Sequence, residues 1–371
     1  MSSEFGKLLR VSVFGESHGP AVGVLMDGLP SGEAVDIAEL QRFLDRRRPG
    51  QDALSTSRRE ADVPRFLSGL SDGRTNGFPL LAVLENRDQR PGDYDAFRDV
   101  PRPGHADYTA FVKWRGAADM RGGGHFSGRL TAPLCVAGGI AKQILARRGI
   151  YSGAHLYRVA DVFDHAFPLR PTEELFDALA GKPFPVLSDA AGEAMRAAVE
   201  KARRESDSVG GVVECAAIGI PAGWGGPMFE GMESRLSAAL FGIPAVKGVE
   251  FGAGFAASGL SGSRNNDPFA LEQGRVVTTS NHSGGILGGI TDGMPLLLRA
   301  AFKPVPSIAR PQRSVNLATG EEVTLTIPGR HDACVAQRAA PVVEAVTAAV
   351  VLDVALEYGG LNGHTERSRA D

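Results

Sequence analysis

The sequence predicts a mixed α+β protein, a single layered domain in which helices pack between sheets. Strand-like apolar runs open the chain, and helical-period apolar runs recur at 130–148 and 334–358. Across 371 residues there is neither a short-period repeat nor a linker-like break in composition. Apolar residues make up 43% of the chain, enough to bury a sizeable core.

Residues 8–14 and 21–27 read as strands joined through Gly15-Glu16-Ser17-His18-Gly19-Pro20. Asp36 reads as the N-cap of a helix over 37–48, with Leu40, Phe43 and Leu44 on its apolar face and Pro49-Gly50 as its stop. Strand-like runs follow at 63–67 and 78–84. The stretch 102–129 resists both periodicities, because Arg121 and Arg129 bracket three consecutive glycines, Gly122 to Gly124. It opens onto the helix at 130–148, and a glycine loop at a helix N-terminus is an anion site in waiting. A strand at 151–162 comes next, then a Pro- and Phe-rich peripheral insertion at 163–190. Beyond it, the pattern predicts a helix at 190–205, a strand at 211–220, a helix at 228–241 and a strand at 246–251. Glycine-rich segments at 258–267 and 280–293 precede strands at 294–302 and 323–327. The helix at 334–358 closes the pattern, leaving 359–371 as a polar, flexible tail.

A net charge of −3 argues against a nucleic-acid binder. No apolar run reaches the roughly eighteen residues of a membrane span, and residues 1–6 lack a signal-peptide core, so a cytoplasmic protein without a membrane partner is expected. Cys135, Cys215 and Cys334 have no paired spacing and read as buried reduced thiols. Arginines concentrate locally: Arg46, Arg47 and Arg48 end the first helix, and Arg115, Arg121 and Arg129 surround the triple glycine. Such runs are often solvated faces, but arginine in preference to lysine suits bidentate binding of carboxylate or phosphate, pointing to a small polyanion.

Gly15-Glu16-Ser17-His18-Gly19 matches the G-x-S-x-G elbow of α/β-hydrolases, yet Pro20 and a strand follow where that elbow needs a helix. The triple glycine matches neither dinucleotide nor P-loop fingerprints. His105-Ala106-Asp107 and His331-Asp332 lack further ligands for a metal site, so no metal is expected, and Asp332 reads equally well as the N-cap of the closing helix.

Taken in order, the segments Gly15 to Gly19, Asp45 to Gly50, Arg102-Pro103-Gly104-His105-Ala106-Asp107-Tyr108-Thr109, Asp119 to Gly124, Ala245-Val246-Lys247-Gly248, Asn281 to Ile290, Lys303-Pro304 and Gly329-Arg330-His331-Asp332 strongly resemble the chorismate synthases. The resemblance implies helices sandwiched between antiparallel sheets, in a homotetramer of a shikimate-pathway lyase. Its reaction is 1,4-elimination of phosphate from 5-enolpyruvylshikimate 3-phosphate, with reduced FMN required and no net redox change. It further implies His18 as proton donor to the departing phosphate, His105 as an acid near the flavin, and Asp332 as the carboxylate assisting loss of the C6 hydrogen. Ser17, Arg46, Arg48 and Arg129 would hold substrate. His125, Phe126, Ser127, Ala245, Gly288, Lys303, Pro304, Val305, Pro306, Ser307 and Arg330 would hold FMN, and Arg47 matches a position associated with NADPH as reductant. A net oxidoreductase and a non-catalytic anion- or RNA-binding module are the alternatives from other classes. The chain departs from the family at His125-Phe126-Ser127-Gly128-Arg129-Leu130, where an arginine and a glutamate are missing, at Pro244 and at Ala53. Phe126 is expected to pack near the isoalloxazine and His125 to replace part of the lost positive charge.

Overall fold

A computed structural model of the chain describes residues 3–48, 60–88, 99–327 and 332–359. Arg330, the Pro49-Gly50 stop, Ala53 and the tail beyond 359 lie outside the described residues.

The first sheet is built from β1 (Glu4–Phe5), β2 (Arg10–Gly15), β3 (Ala21–Asp27), β4 (Arg65–Ser68) and, after a small ladder of β5 (Leu70–Ser71) and β6 (Arg74–Thr75), β7 (Leu80–Glu85). It is antiparallel in the order β1-β2-β3-β7-β4. Alternation fixes its face: Val22, Val24 and Met26 of β3 and Leu80, Ala82 and Leu84 of β7 are fully buried. Between β3 and β4 runs α1 (Ile37–Arg47), capped by Asp36, whose carboxylate accepts from the amides of Ala38 and Glu39.

After α2 (Asp107–Trp114) and two short 3-10 turns comes α3 (Thr131–Ala146). The second sheet uses β8 (Tyr151–Val159), β9 (Val162–Phe163), β10 (Gly211–Ile218), β11 (Val246–Phe251) and the later β16 (Leu296–Phe302), antiparallel in the order β11-β16-β10-β8-β9. Around it lie α4 (Glu173–Ala180), α5 (Asp189–Arg204), α6 (Met232–Leu240) and the short α7 (Gly262–Asn265). Three hairpins complete the strands: β12 (Phe269–Glu272) with β13 (Arg275–Thr278), β14 (Ile286–Leu287) with β15 (Ile290–Thr291), and β17 (Gln312–Val315) with β18 (Glu322–Leu325). The closing helix is α8 (Ala336–Glu357).

The helices α3 and α8 pack on each other, α3 also against β3 and β7, α8 against β8 and β10. A helical layer between two antiparallel sheets results, as the sequence predicts. The closest approach is at Gly138, where a Cβ would lie 2.2 Å from the Ala345 Cα. By length and a mean hydropathy of 1.9, α8 is apolar enough to cross a membrane, but it is 94% buried inside the fold and serves as its core helix.

The residues 163–190 lie against β8 and β10 through a second apolar cluster of Phe167, Phe176, Leu179 and Ala216. The helix expected at 228–241 begins only at Met232, because Pro227 and Gly231 hold the chain extended around a 3-10 turn at Met228–Glu230. The strand expected at 151–162 is interrupted at Ala160, which has a positive φ of 48°. Periodicity also missed α2, whose eight residues mix exposed aromatics with polar groups, and the hairpin β12–β13, which falls between the two segments read as glycine-rich.

Candidate active site

A cavity of 1710 Å3 is lined by the β2 end, the glycine loop, the segments around residues 102–107 and 303–307, Asp332 and the start of α8. The glycine loop turns by stacking three left-handed backbones: Gly122, Gly123 and Gly124 have φ of 60°, 91° and 53°. L-residues pay for such angles, glycine hardly at all. Space demands glycine too. A Cβ on Gly122 would sit 2.2 Å from the His18 ring, and one on Gly123 3.3 Å from His105 Nε2. The loop therefore lies against both histidines, 87 positions apart in the chain, and brings them to one place.

His18 and Ser17 are buried in the β2–β3 turn, behind Gly122, which itself lines the cavity. The Ser17 amide donates to the Gly124 carbonyl at 3.1 Å, stitching turn to loop. His105 lines the cavity and donates from Nδ1 to Asp107 Oδ1 at 2.7 Å. Arg102 grips the other side of that carboxylate, Nε to Oδ2 at 2.7 Å. Burial opposes the charge on Asp107, yet the hydrogen bonds from Arg102 and His105 win and hold its carboxyl well below the usual range. Arg102 also reaches Ser307 Oγ at 3.3 Å, and Lys303 Nζ donates to the Gly104 carbonyl, so the 303–307 segment is fastened beside His105. Lys303, Val305, Pro306, Ser307 and Ala245 line the cavity with His125, Phe126 and Ser127.

One wall is a chain of buried charges. Asp62 accepts from both Arg47 and Arg129. Burial raises its pKa, but the two guanidiniums outweigh that and hold the carboxylate charged. Arg129 continues through Nε to Asn86 Oδ1 at 2.8 Å, while Arg47 Nη1 donates to Thr131 Oγ1 at 3.2 Å. Arg338, on α8, donates to the Arg47 carbonyl at 3.1 Å and to Asp332 Oδ2 at 2.6 Å.

The structure separates the arginine trio of α1. Arg47 lines the cavity, but its guanidinium is buried against Asp62 and Thr131, which suits it to hold the wall together more than to meet a pyridine nucleotide. Arg46 and Arg48 do not line the cavity: Arg46 pairs with Glu344 at 2.8 Å and Arg48 with Asp45 at 3.3 Å. Consecutive helical residues diverge by about 100°, so three adjacent arginines cannot share one face. Gly288 and Pro304 are not brought to the cavity either: Gly288 sits in the β14–β15 turn, and Pro304 packs against Gly210.

A sequence model of the chorismate synthase family matches residues 9–356. The chain belongs to the chorismate synthase family. A chorismate synthase of Thermococcus kodakarensis is 51% identical over 348 residues, covering 94% of this chain and 96% of that one. One of Lancefieldella parvula is 47% identical over 366 residues, covering 95% and 96%. One of Aeropyrum pernix is 48% identical over 351 residues, covering 95% and 92%. A solved structure titled as the crystal structure of chorismate synthase superposes with a TM-score of 0.75 at 24% identity, covering 95% of this chain and 93% of that one, which speaks for the fold.

Two of the residues by which the chain departs from the chorismate synthase pattern, His125 and Phe126, have protein partners. His125 Nδ1 donates to the Gly15 carbonyl at 2.7 Å, and its Nε2 lies 2.7 Å from Ser3 Oγ. Both nitrogens are thus engaged by protein, which makes His125 a tether between the glycine loop and β2. Phe126 packs on Trp114 with ring centroids 5.9 Å apart. Asp62, Asn86, Trp114 and Arg338 were missed by the sequence reading. No local pattern marks a lone polar residue as a partner of one far along the chain, and only the arginine-rich neighbourhood hinted that carboxylates must answer it.

Proposed function

We propose that this chain carries out the reaction of its family, converting 5-enolpyruvylshikimate 3-phosphate to chorismate by 1,4-elimination of phosphate and a C6 hydrogen, with reduced FMN bound and no net redox change. The observation that carries this reading is the packing of the glycine loop against both His18 and His105 beside a guanidinium-rich wall. The donor set fits a flavin: Phe126 and Trp114 offer aromatic surface, Lys303 a cation, and the cavity exceeds the roughly 300–1,000 Å3 of a single small ligand, leaving room for substrate alongside. His125, Phe126, Ser127, Ala245, Lys303, Val305, Pro306 and Ser307 would hold it. Reduced FMN, when bound, supplies electron density to the breaking C–O bond.

The chain's own residues do the rest. His18 gives a proton to the phosphate oxygen as the C–O bond breaks and the electron pair leaves with phosphate. Asp332, held by Arg338, receives the hydrogen of C6 as a proton, and the C6–H electrons form the new double bond. His105, with its Nδ1 proton committed to Asp107, presents Nε2 as the exchangeable position. Arg129 contributes fixed positive charge to the anionic substrate from a position that costs nothing to reorganise during reaction. We place the enzyme in the cytoplasm as a homotetramer, with NADPH as a candidate reductant for its flavin.

The test is an anaerobic assay with dithionite-reduced FMN and the enolpyruvyl substrate, repeated with NADPH in place of dithionite. Stoichiometric phosphate and chorismate are expected in the first. No phosphate release there sinks the reading, and net consumption of reductant per product would make the protein an oxidoreductase instead. Product formation in the second assigns NADPH-dependent flavin reduction to this chain.

A further inference from the structure

We infer that Asn86 is a positioning residue that locks the His18 turn to Arg129, an inference that rests on the proposed role of His18. Asn86 directly follows β7 and is buried. Its Nδ2 donates to two carbonyls, Glu16 at 3.0 Å and Gly19 at 2.7 Å, which bracket Ser17 and His18 on either side. Its Oδ1 accepts from Arg129 Nε at 2.8 Å, and its backbone amide donates to Pro20 at 3.1 Å. The partners fix the amide's orientation, since a guanidinium can only donate and a carbonyl can only accept. One side chain thus spends both donors on the two ends of the turn and its acceptor on the anion-binding wall.

The chemistry selects asparagine. A leucine of similar size would leave two carbonyls and a guanidinium N–H without these partners. An aspartate would still accept from Arg129 but would face the Glu16 and Gly19 carbonyls with lone pairs. It would also place a second carboxylate beside Asp62 against the same guanidinium, cancelling positive charge that an anionic substrate needs. The neutral amide holds the turn and leaves Arg129 its charge. The bonds from Gly19 N–H to Glu16 and from Ser17 N–H to Gly124 are backbone bonds that fix the turn's shape and its contact with the glycine loop, whereas Asn86 ties it to the arginine.

The test compares Asn86→Leu and Asn86→Asp in the flavin-loaded enzyme, with His18→Ala as the control. Asn86→Leu is expected to lower kcat by about tenfold to a hundredfold, the cost of a proton donor displaced by a fraction of an ångström to an ångström. Asn86→Asp is expected to lower kcat comparably, because a carboxylate cannot donate to the Glu16 and Gly19 carbonyls. The second readout needs no ligand: the His18 imidazole 15N shifts should depart from wild type in both variants. This measurement decides the matter alone if Asn86→Leu does not fold. Wild-type kcat with unshifted His18 resonances in both variants would overturn the inference. If His18→Ala kept full activity, the failure would belong to the proposed function.

Discussion

At the residue scale, Asp62 is the most consequential group that pattern reading did not single out. Arginine clusters are visible in a sequence, but the carboxylate that organises them is one acid among 43 Asp and Glu residues. Asp62→Ala would leave Arg47 and Arg129 buried with an uncompensated charge, and a loss of about 3–5 kcal/mol is expected in urea unfolding at neutral pH. Asp107 allows a test by pH. Its folded pKa is depressed, so the unfolded chain binds protons first as pH falls, and the stability it contributes is intact above about pH 4 and lost below. The stability gap between wild type and Asp107→Asn should therefore be clear at pH 7 and narrow progressively as pH falls below about 4; a gap independent of pH would refute this. Of the candidate residues, His105, Arg129 and Asp332, named through the family resemblance, do line the cavity, whereas Arg46 and Arg48 shared a motif with Arg47 without sharing its direction. A sequence motif records adjacency along the chain, and helix geometry then sends adjacent side chains different ways.

At the scale of elements, the legible parts were those with a local cause. Asp36 announced its helix through a cap, and alternation announced β3 and β7, because burial on one face repeats every second residue. The α2 helix and the hairpins β12–β13 and β14–β15 were not legible, since their residues are placed by neighbours and not by periodicity of their own. Two element contacts carry further tests. Gly138→Val would drive a branched side chain into the Ala345 backbone where α3 crosses α8, and a destabilisation of about 3 kcal/mol or more is expected from thermal unfolding. Asp353 of α8 accepts the amides of Lys7, Leu8 and Leu9, each at 2.8–3.1 Å, anchoring the chain between β1 and β2. Asp353→Ala should cost about 2–5 kcal/mol by orphaning those donors, and amide hydrogen exchange should speed up first in β1 and β2.

At the scale of the whole molecule, the modest net charge hides a cavity whose wall carries Arg47, Arg102, Arg129 and Arg338. Those charges are partly answered by Asp62, Asp107 and Asp332, and the remainder attracts anions. KM for the phosphorylated substrate is expected to rise with ionic strength between about 0.01 and 0.15 M while kcat stays within about twofold; a salt-independent KM would mean that the wall acts by shape alone. The layered architecture was readable from composition and periodicity, but which helix lies innermost was not, because α8 is apolar on all sides and periodicity then carries no direction. That position gives α8 a hold over the timing of folding. It follows its partner α3 by about 190 residues, so a ribosome adding about 5–20 residues per second leaves α3, already seated on the first sheet, without its partner helix for roughly 10–40 s. Until the last helix is made, the free face of α3 and then the inner face of the second sheet lack their cover, and the interval between synthesis of α3 and α8 is when this protein is most exposed to aggregation.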